Sequence, residues 1–112
     1  MATVRKVHDG TALTTSLATA YTVGTVATGG GIIEQIIVVN DNTTTVRTVT
    51  VQLIKSGQAA AQSYLIAEKR VAPNDSQPLL PGPIYVDTGA FIQAKQDTGT
   101  DCTIRITALE VS

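Results

Sequence analysis

Apolar and polar residues alternate with a period of two through much of the chain, the pattern of strands that bury one face and leave the other wet. In LATAYTV, residues 17–23, Leu17, Thr19, Tyr21 and Val23 fall on one face and the small Ala18, Ala20 and Thr22 on the other. The segment VRTVTVQLIK, 46–55, alternates most cleanly, with Val49, Val51 and Leu53 inward and Thr48, Thr50 and Gln52 outward. That predicts an antiparallel strand with one solvated face. Between them GIIEQIIVVN, Gly31–Asn40, is almost continuously apolar. It is too short for a typical helix and too β-branched to prefer one, so it reads as a strand covered on both faces at the centre of the core. Near the end FIQAK (91–95) and CTIRITALEV (102–111) flank the turn QDTGTD, and Ile104 and Ile106 alternate with Thr103, Arg105 and Thr107.

Breaks in the pattern place the connections. Gly29, Gly30 and Gly31 form a bend, where backbone without a side chain turns at low steric cost. NDNTTT, 40–45, is turn chemistry, and a hairpin is its simplest outcome. SGQAAAQ reads as a loop, because three alanines are too few to nucleate a helix alone. SYLIAEKRV returns to apolar spacing. Pro73, Pro78, Pro81 and Pro83 then crowd one connection, which makes it a sheet edge or a long crossover, since proline lacks the amide a central ladder needs. The first fifteen residues hold no sustained apolar period and predict an extended N-terminal arm with at most a few strand residues, ordered when something binds it. The expectation is an all-β chain. An arm (1–15) precedes a single antiparallel β-sandwich domain (16–112) of seven or eight short strands, jelly-roll or Ig-like, ahead of a small barrel.

Composition agrees, since 40 of the 112 residues are threonine, valine or isoleucine. Eight Lys+Arg against nine Asp+Glu give a net charge of −1, without clusters, so no field draws a polyanion and nucleic acid is not the expected partner. Cys102 is the single cysteine and has no internal disulfide partner, which fits synthesis in a reducing compartment. The polar start and the short apolar run at 36–39 lead to the expectation of no secretory or membrane segment.

Chemistry is scarce. His8 is the one histidine and lies in the arm, whereas a general base must be held beside its nucleophile. Cys102 shares a face with Ile104 and Ile106 and reads as a core thiol. A structural zinc site needs about four Cys/His ligands, and the chain has two such residues. Asp41 with Asn40 and Asn42, or Asp97 with Asp101, offer oxygen ligands but lack the spacing of a calcium loop and read as turns. The glycine run is followed by no Lys-Ser/Thr and is no phosphate loop. The aromatic side chains Tyr21, Tyr64, Tyr85 and Phe91, with no tryptophan, make a poor sugar platform and a poor stacking surface for single-stranded nucleic acid. The expectation is therefore no enzyme, no cofactor and no metal, but a structural or interaction module working through its surface, its arm and its strand edges.

The order of the motifs carries a resemblance. LATAYTVGTVATGGGIIEQIIVVNDN, then TVTVQLIKSG, a proline-bearing loop before IYVDTGAFIQAK, and the closing TIRITALEVS together resemble small β-sandwich virion proteins of tailed bacteriophages over residues 13–112. In that group a strand ends in asparagine, here Asn40, an alternating strand follows, then a glycine–acid–hydrophobic turn, and the final strand ends in glutamate, here Glu110. This chain departs at the turn, where Gly89 is followed by Ala90 and the acid, Asp87, comes two residues earlier. The resemblance implies a virion structural protein made in the bacterial cytoplasm. Foremost is a capsid decoration (cement) protein that binds the major capsid protein or other virion proteins and stabilises the shell, as a homotrimer held by strand edges and the arm, away from DNA and membranes. A head–tail neck, tail or fibre component is the alternative, and a receptor- or carbohydrate-binding module is the rival of a different class. The expected partner contacts are Thr3, Val4, Arg5, Lys6, Val7, His8 and Asp9 in the arm, Asn40, Asp41 and Asn42 in one loop, and Pro78, Pro81 and Pro83 in another.

Overall fold

The computed structural model describes residues 3–24, 28–59, 65–80 and 82–111, with residues 3–9 described by their backbone alone. Among them are nine strands and no helix: β1 (Thr3–Ala12), β2 (Ala18–Thr22), β3 (Gly31–Asn40), β4 (Arg47–Ile54), β5 (Leu65–Val71), β6 (Asp75–Pro78), β7 (Ile84–Val86), β8 (Phe91–Gln96) and β9 (Cys102–Val111). One sheet runs β1-β9-β3-β6, with β7 also on β3, and the other runs β2-β8-β4-β5. All pairings are antiparallel. The two sheets pack face to face as a single β-sandwich. These strand orders are those of a jelly roll, whose last place in the first sheet is here shared by β6 and β7.

Ile33, Ile36 and Val38 of β3 and Ile104, Ile106 and Ala108 of β9 meet Val49 and Val51 of β4 and Ile92 and Ala94 of β8 in one core. Leu13 plugs an end of it, buried, with its amide bonded to the Cys102 carbonyl at 2.9 Å.

Several expectations are corrected. The segment read as an arm with at most a few strand residues is the ten-residue β1, paired with β9 along its length. Its period was hidden because an edge strand held by backbone bonds needs no apolar face of its own. The turn at 40–45 makes no hairpin, for β3 and β4 lie in different sheets and the segment arches between them. Thr50 and Gln52 of β4, expected outside and wet, are 8% and 5% exposed. The reason is that β4 is an inner strand, with Lys95 and Gln93 opposite on one side and Glu68 and Leu65 on the other. In β2 a register shift between Thr19 and Tyr21 breaks the period of two, so Ala20 and Tyr21 are both buried.

The most consequential difference is in β3. A shift between Ile33 and Gln35 keeps Ile33, Ile36, Val38 and Asn40 inward, and its other face, expected to be covered, is only half covered. Ile32 and Ile37 are half-buried and Val39 is 42% exposed.

Candidate functional site

The arch between β3 and β4 is held by side chains. Asn40, fully buried at the end of β3, donates through Nδ2 to the carbonyls of Thr45 and Val71, both at 2.9 Å, and its Oδ1 accepts from the Asn42 amide at 3.0 Å. Asn42 Oδ1 in turn accepts the amides of Thr44 and Thr45, each at 2.8 Å, the local bonding that made the segment legible as a turn.

Beside it stands Asp101, reached by Arg47 through Nε to Oδ1 at 2.9 Å and Nη2 to Oδ2 at 3.0 Å, by Asn42 Nδ2 at 2.7 Å and by Gln96 Nε2 at 2.9 Å. Gln96 is fully buried, and its Oε1 takes the Cys102 amide at 2.9 Å. Arg47 and Gln96 belong to one sheet and Asn40 and Cys102 to the other, so the network clamps this end of the sandwich. The Arg47 guanidinium first, then Asn42 and Gln96, hold the Asp101 carboxyl well below the usual carboxylate range.

A carboxyl whose pKa is lowered by folding stabilises the fold above its unfolded value and loses that contribution as the pH falls toward the folded one. Melting temperature is therefore expected to drop between about pH 5 and pH 2. The gap between the wild type and Asp101→Asn should narrow over the same interval in melts followed by circular dichroism. A gap that stays constant over that range would mean that Asp101 is not the group responsible.

Other polar groups are equally bound up in the fold. Burial, with the Asp101 carboxylate adding, pushes the Cys102 thiol up to about 11, which leaves it protonated and unreactive at neutral pH. Tyr21 of β2 donates its hydroxyl to Glu110 of β9, joining the two sheets inside the core. Burial first, then the carboxylate, push the Tyr21 hydroxyl far above the ordinary phenol range. Among the described residues no three His, Cys, Asp or Glu side chains are grouped to hold a metal ion.

What the structure leaves open is surface. On the outer face of the first sheet, register places Tyr85, Ile32 and Leu109 in one row across β7, β3 and β9. Pro78, Ile37 and Arg105 form a second row, and Ser76, Val39 and Thr103 a third. Tyr85 is 66% exposed, with its hydroxyl bonded to the Gly29 carbonyl at 2.6 Å. Polar Gln35 and Thr107 lie between the first row and the second, so the apolar side chains fall in two patches, Tyr85 with Ile32 and Leu109, and Pro78 with Ile37 and Val39. Such patches mark a surface with something to bury. A cleft of about 480 Å³ opens on the flank between β5 and β6, lined by Ile66, Ala67, Lys69, Pro78, Leu79 and Leu80.

The predicted contact residues do not converge. Thr3, Val4, Arg5, Lys6, Val7, His8 and Asp9 lie on β1 at one edge of the first sheet. Pro78 and Pro83, both exposed, belong to the opposite edge, across β9 and β3, and Pro81 lies outside the described residues. Asn40 is no surface residue, because its side chain is spent on the arch. Asp41 is exposed, and Asn42 is half-buried in the clamp. Sequence reasoning missed Arg47 and Gln96 and read Asp101 as a turn residue, since the partners in this network lie up to 59 positions apart, and it read the outward face of β3 as core.

No protein-family model, no curated protein and no solved structure matches the chain. The class defined by fold and surface is an antiparallel jelly-roll module with apolar patches on one outer sheet face.

Proposed function

We propose that this protein is a structural component of a virus particle, a decoration protein that binds the outer capsid surface of a tailed phage and stabilises the shell. The observation that carries the reading is the outward face of β3, where Ile32 stands beside exposed Tyr85 and, further along the strand, Ile37 stands beside Pro78 and next to exposed Val39. An antiparallel sheet in a free sandwich keeps its outer face polar, and this one carries two apolar patches among its polar positions, suited to a protein partner. The jelly-roll order supports the reading by analogy alone, since viral shell proteins and lectins both use it. On a repeated lattice, many copies each binding weakly hold a shell together through effective concentration. The resemblance of the sequence motifs to phage virion proteins is the second support for the reading.

The test is co-sedimentation of the purified protein with shells of the phage that encodes it. The wild type is expected to pellet with the shells. Val39→Asp, which puts a charge into an already exposed position, is expected to remain in the supernatant with an unchanged melting temperature. Equal binding by both proteins, or binding confined to tails, would overturn the assignment. Exposed Tyr85 favours one rival, a sugar-stacking module, and binding to a glycan array that is lost in Tyr85→Ala would establish it instead.

A further inference from the structure

β5 and β6 follow each other in the chain yet lie in different sheets, joined by the turn at 72–74 with no ladder between them. The cleft of about 480 Å³ opens away from that turn, lined by residues 66–69 on one side and 78–80 on the other. Its floor is the rim of the core. Four apolar side chains among the described residues pack half-covered against the core, and three of them, Ile66, Ala67 and Leu80, line this cleft beside buried Leu79. The register shift between Val51 and Gln52 contributes, since it leaves Ile66 without a counterpart on β4.

Lys69 supplies a charge to this lining. It stands opposite buried Val49, so register puts it on the inner face of its sheet, an uncommon place for a cation. The side chain lines the cleft, and its Nζ donates to the Pro78 carbonyl at 3.3 Å. That is one long bond to a neutral acceptor for a group with three protons to donate. Among the described residues no carboxylate is bonded to it.

We infer that the cleft binds an aliphatic carboxylate, a fatty acid of medium chain length, with its alkyl chain against Ile66, Ala67, Leu79 and Leu80 and its carboxylate on Lys69. The volume falls within the range of small-ligand pockets. A hydrocarbon chain suits the lining because it buries no amide, whereas a peptide segment would bring amides to be paired, and Pro78 has none to offer in return. A carboxylate suits the ammonium because a charge-assisted bond is shorter and stronger than the bond to a carbonyl that it replaces. The inference stands on the flank of the sandwich and holds whether or not the protein decorates a shell.

Isothermal titration calorimetry with decanoate, kept below its micelle concentration, reads the site. The wild type is expected to bind decanoate saturably, and decanol or decyltrimethylammonium about tenfold more weakly. Lys69→Met keeps the apolar stem and removes the charge, and it should lose about tenfold in affinity for decanoate with an unchanged melting temperature. Ala67→Leu fills the cleft and is expected to abolish binding; should that variant fail to fold, the ligand series and Lys69→Met decide the matter alone. Absence of decanoate binding by the wild type would mean that Lys69 only guards the sheet edge, and would overturn the inference. Equal affinity for decanol and decanoate, undiminished binding by Lys69→Met, or tighter binding of a peptide ending in leucine than of decanoate would overturn it as well. None of these outcomes bears on shell binding through Val39.

Discussion

Asn40→Ala is expected to lower the unfolding free energy by about 2–3 kcal/mol, because it unpairs three backbone groups at once, the Val71 carbonyl among them in the core. The carbonyls of Thr45 and Val71 lose their donor and the Asn42 amide its acceptor, the Val71 carbonyl in a buried bond and the other two in part-buried ones. The Val71 carbonyl forfeits its water on folding, and alanine returns nothing. Urea unfolding measures the loss. Asn42→Ala, at a half-buried position that solvent can reach, should fall clearly short of it. Asn40→Asp separates shape from chemistry, since it keeps the acceptor for Asn42 but points a carboxylate at two carbonyls. It should be damaging at neutral pH and partly restored in acid, when the carboxyl regains a proton to donate. A loss under 1 kcal/mol in Asn40→Ala would show that the arch is held by its neighbours instead.

Gly30→Ala should be comparably severe, for a different reason. Gly30 has φ +80°, and a Cβ there would sit 2.3 Å from the Val86 carbonyl oxygen. Its own carbonyl accepts the Val111 amide at 3.0 Å, which ties the entry of β3 to the end of β9. The positive φ alone costs roughly 1–2 kcal/mol for an L residue, and moving backbone to relieve the overlap adds a further ~1–3 kcal/mol. Gly57 isolates the first contribution, having the same φ of +80° and nothing within 4 Å of the added carbon. Thermal or urea unfolding should therefore rank Gly30→Ala well below Gly57→Ala in stability. Equal losses in the two variants would mean that β3 shifts freely away from Val86.

The strands were legible wherever their residues report on their own burial. Gly31–Asn40 and Cys102–Val111 have the ends expected from their apolar runs, and the proline-rich segment lies at an edge as its missing amides require. What failed was the inference from one strand to its neighbours. β1 was unreadable because its polar sequence, TVRKVHDGTA, is stabilised by the backbone of β9, and a backbone ladder leaves no mark on side-chain periodicity. Thr50 and Gln52 looked solvated because their polarity says nothing of the long residues across from them. The outward residues of β3 looked like core for the converse reason: an apolar residue signals that it is to be covered, but not by which molecule.

The candidate surface divides along the same line. Asn40 and Asn42 could be seen to make a turn, since an asparagine bonds its own next few amides, yet the reach of Asn40 to Val71 and of Arg47 to Asp101 depends on which strands the arch brings side by side. Patterning of β-branched and polar residues by itself determined that the chain is all-β, two-layered and antiparallel, because each strand must hide one face regardless of its partners. Tertiary structure alone decided the jelly-roll order, the clamp around Asp101, the edge held by β1 and the apolar face left outside, because these depend on pairings between residues far apart in the chain, which local preference does not encode.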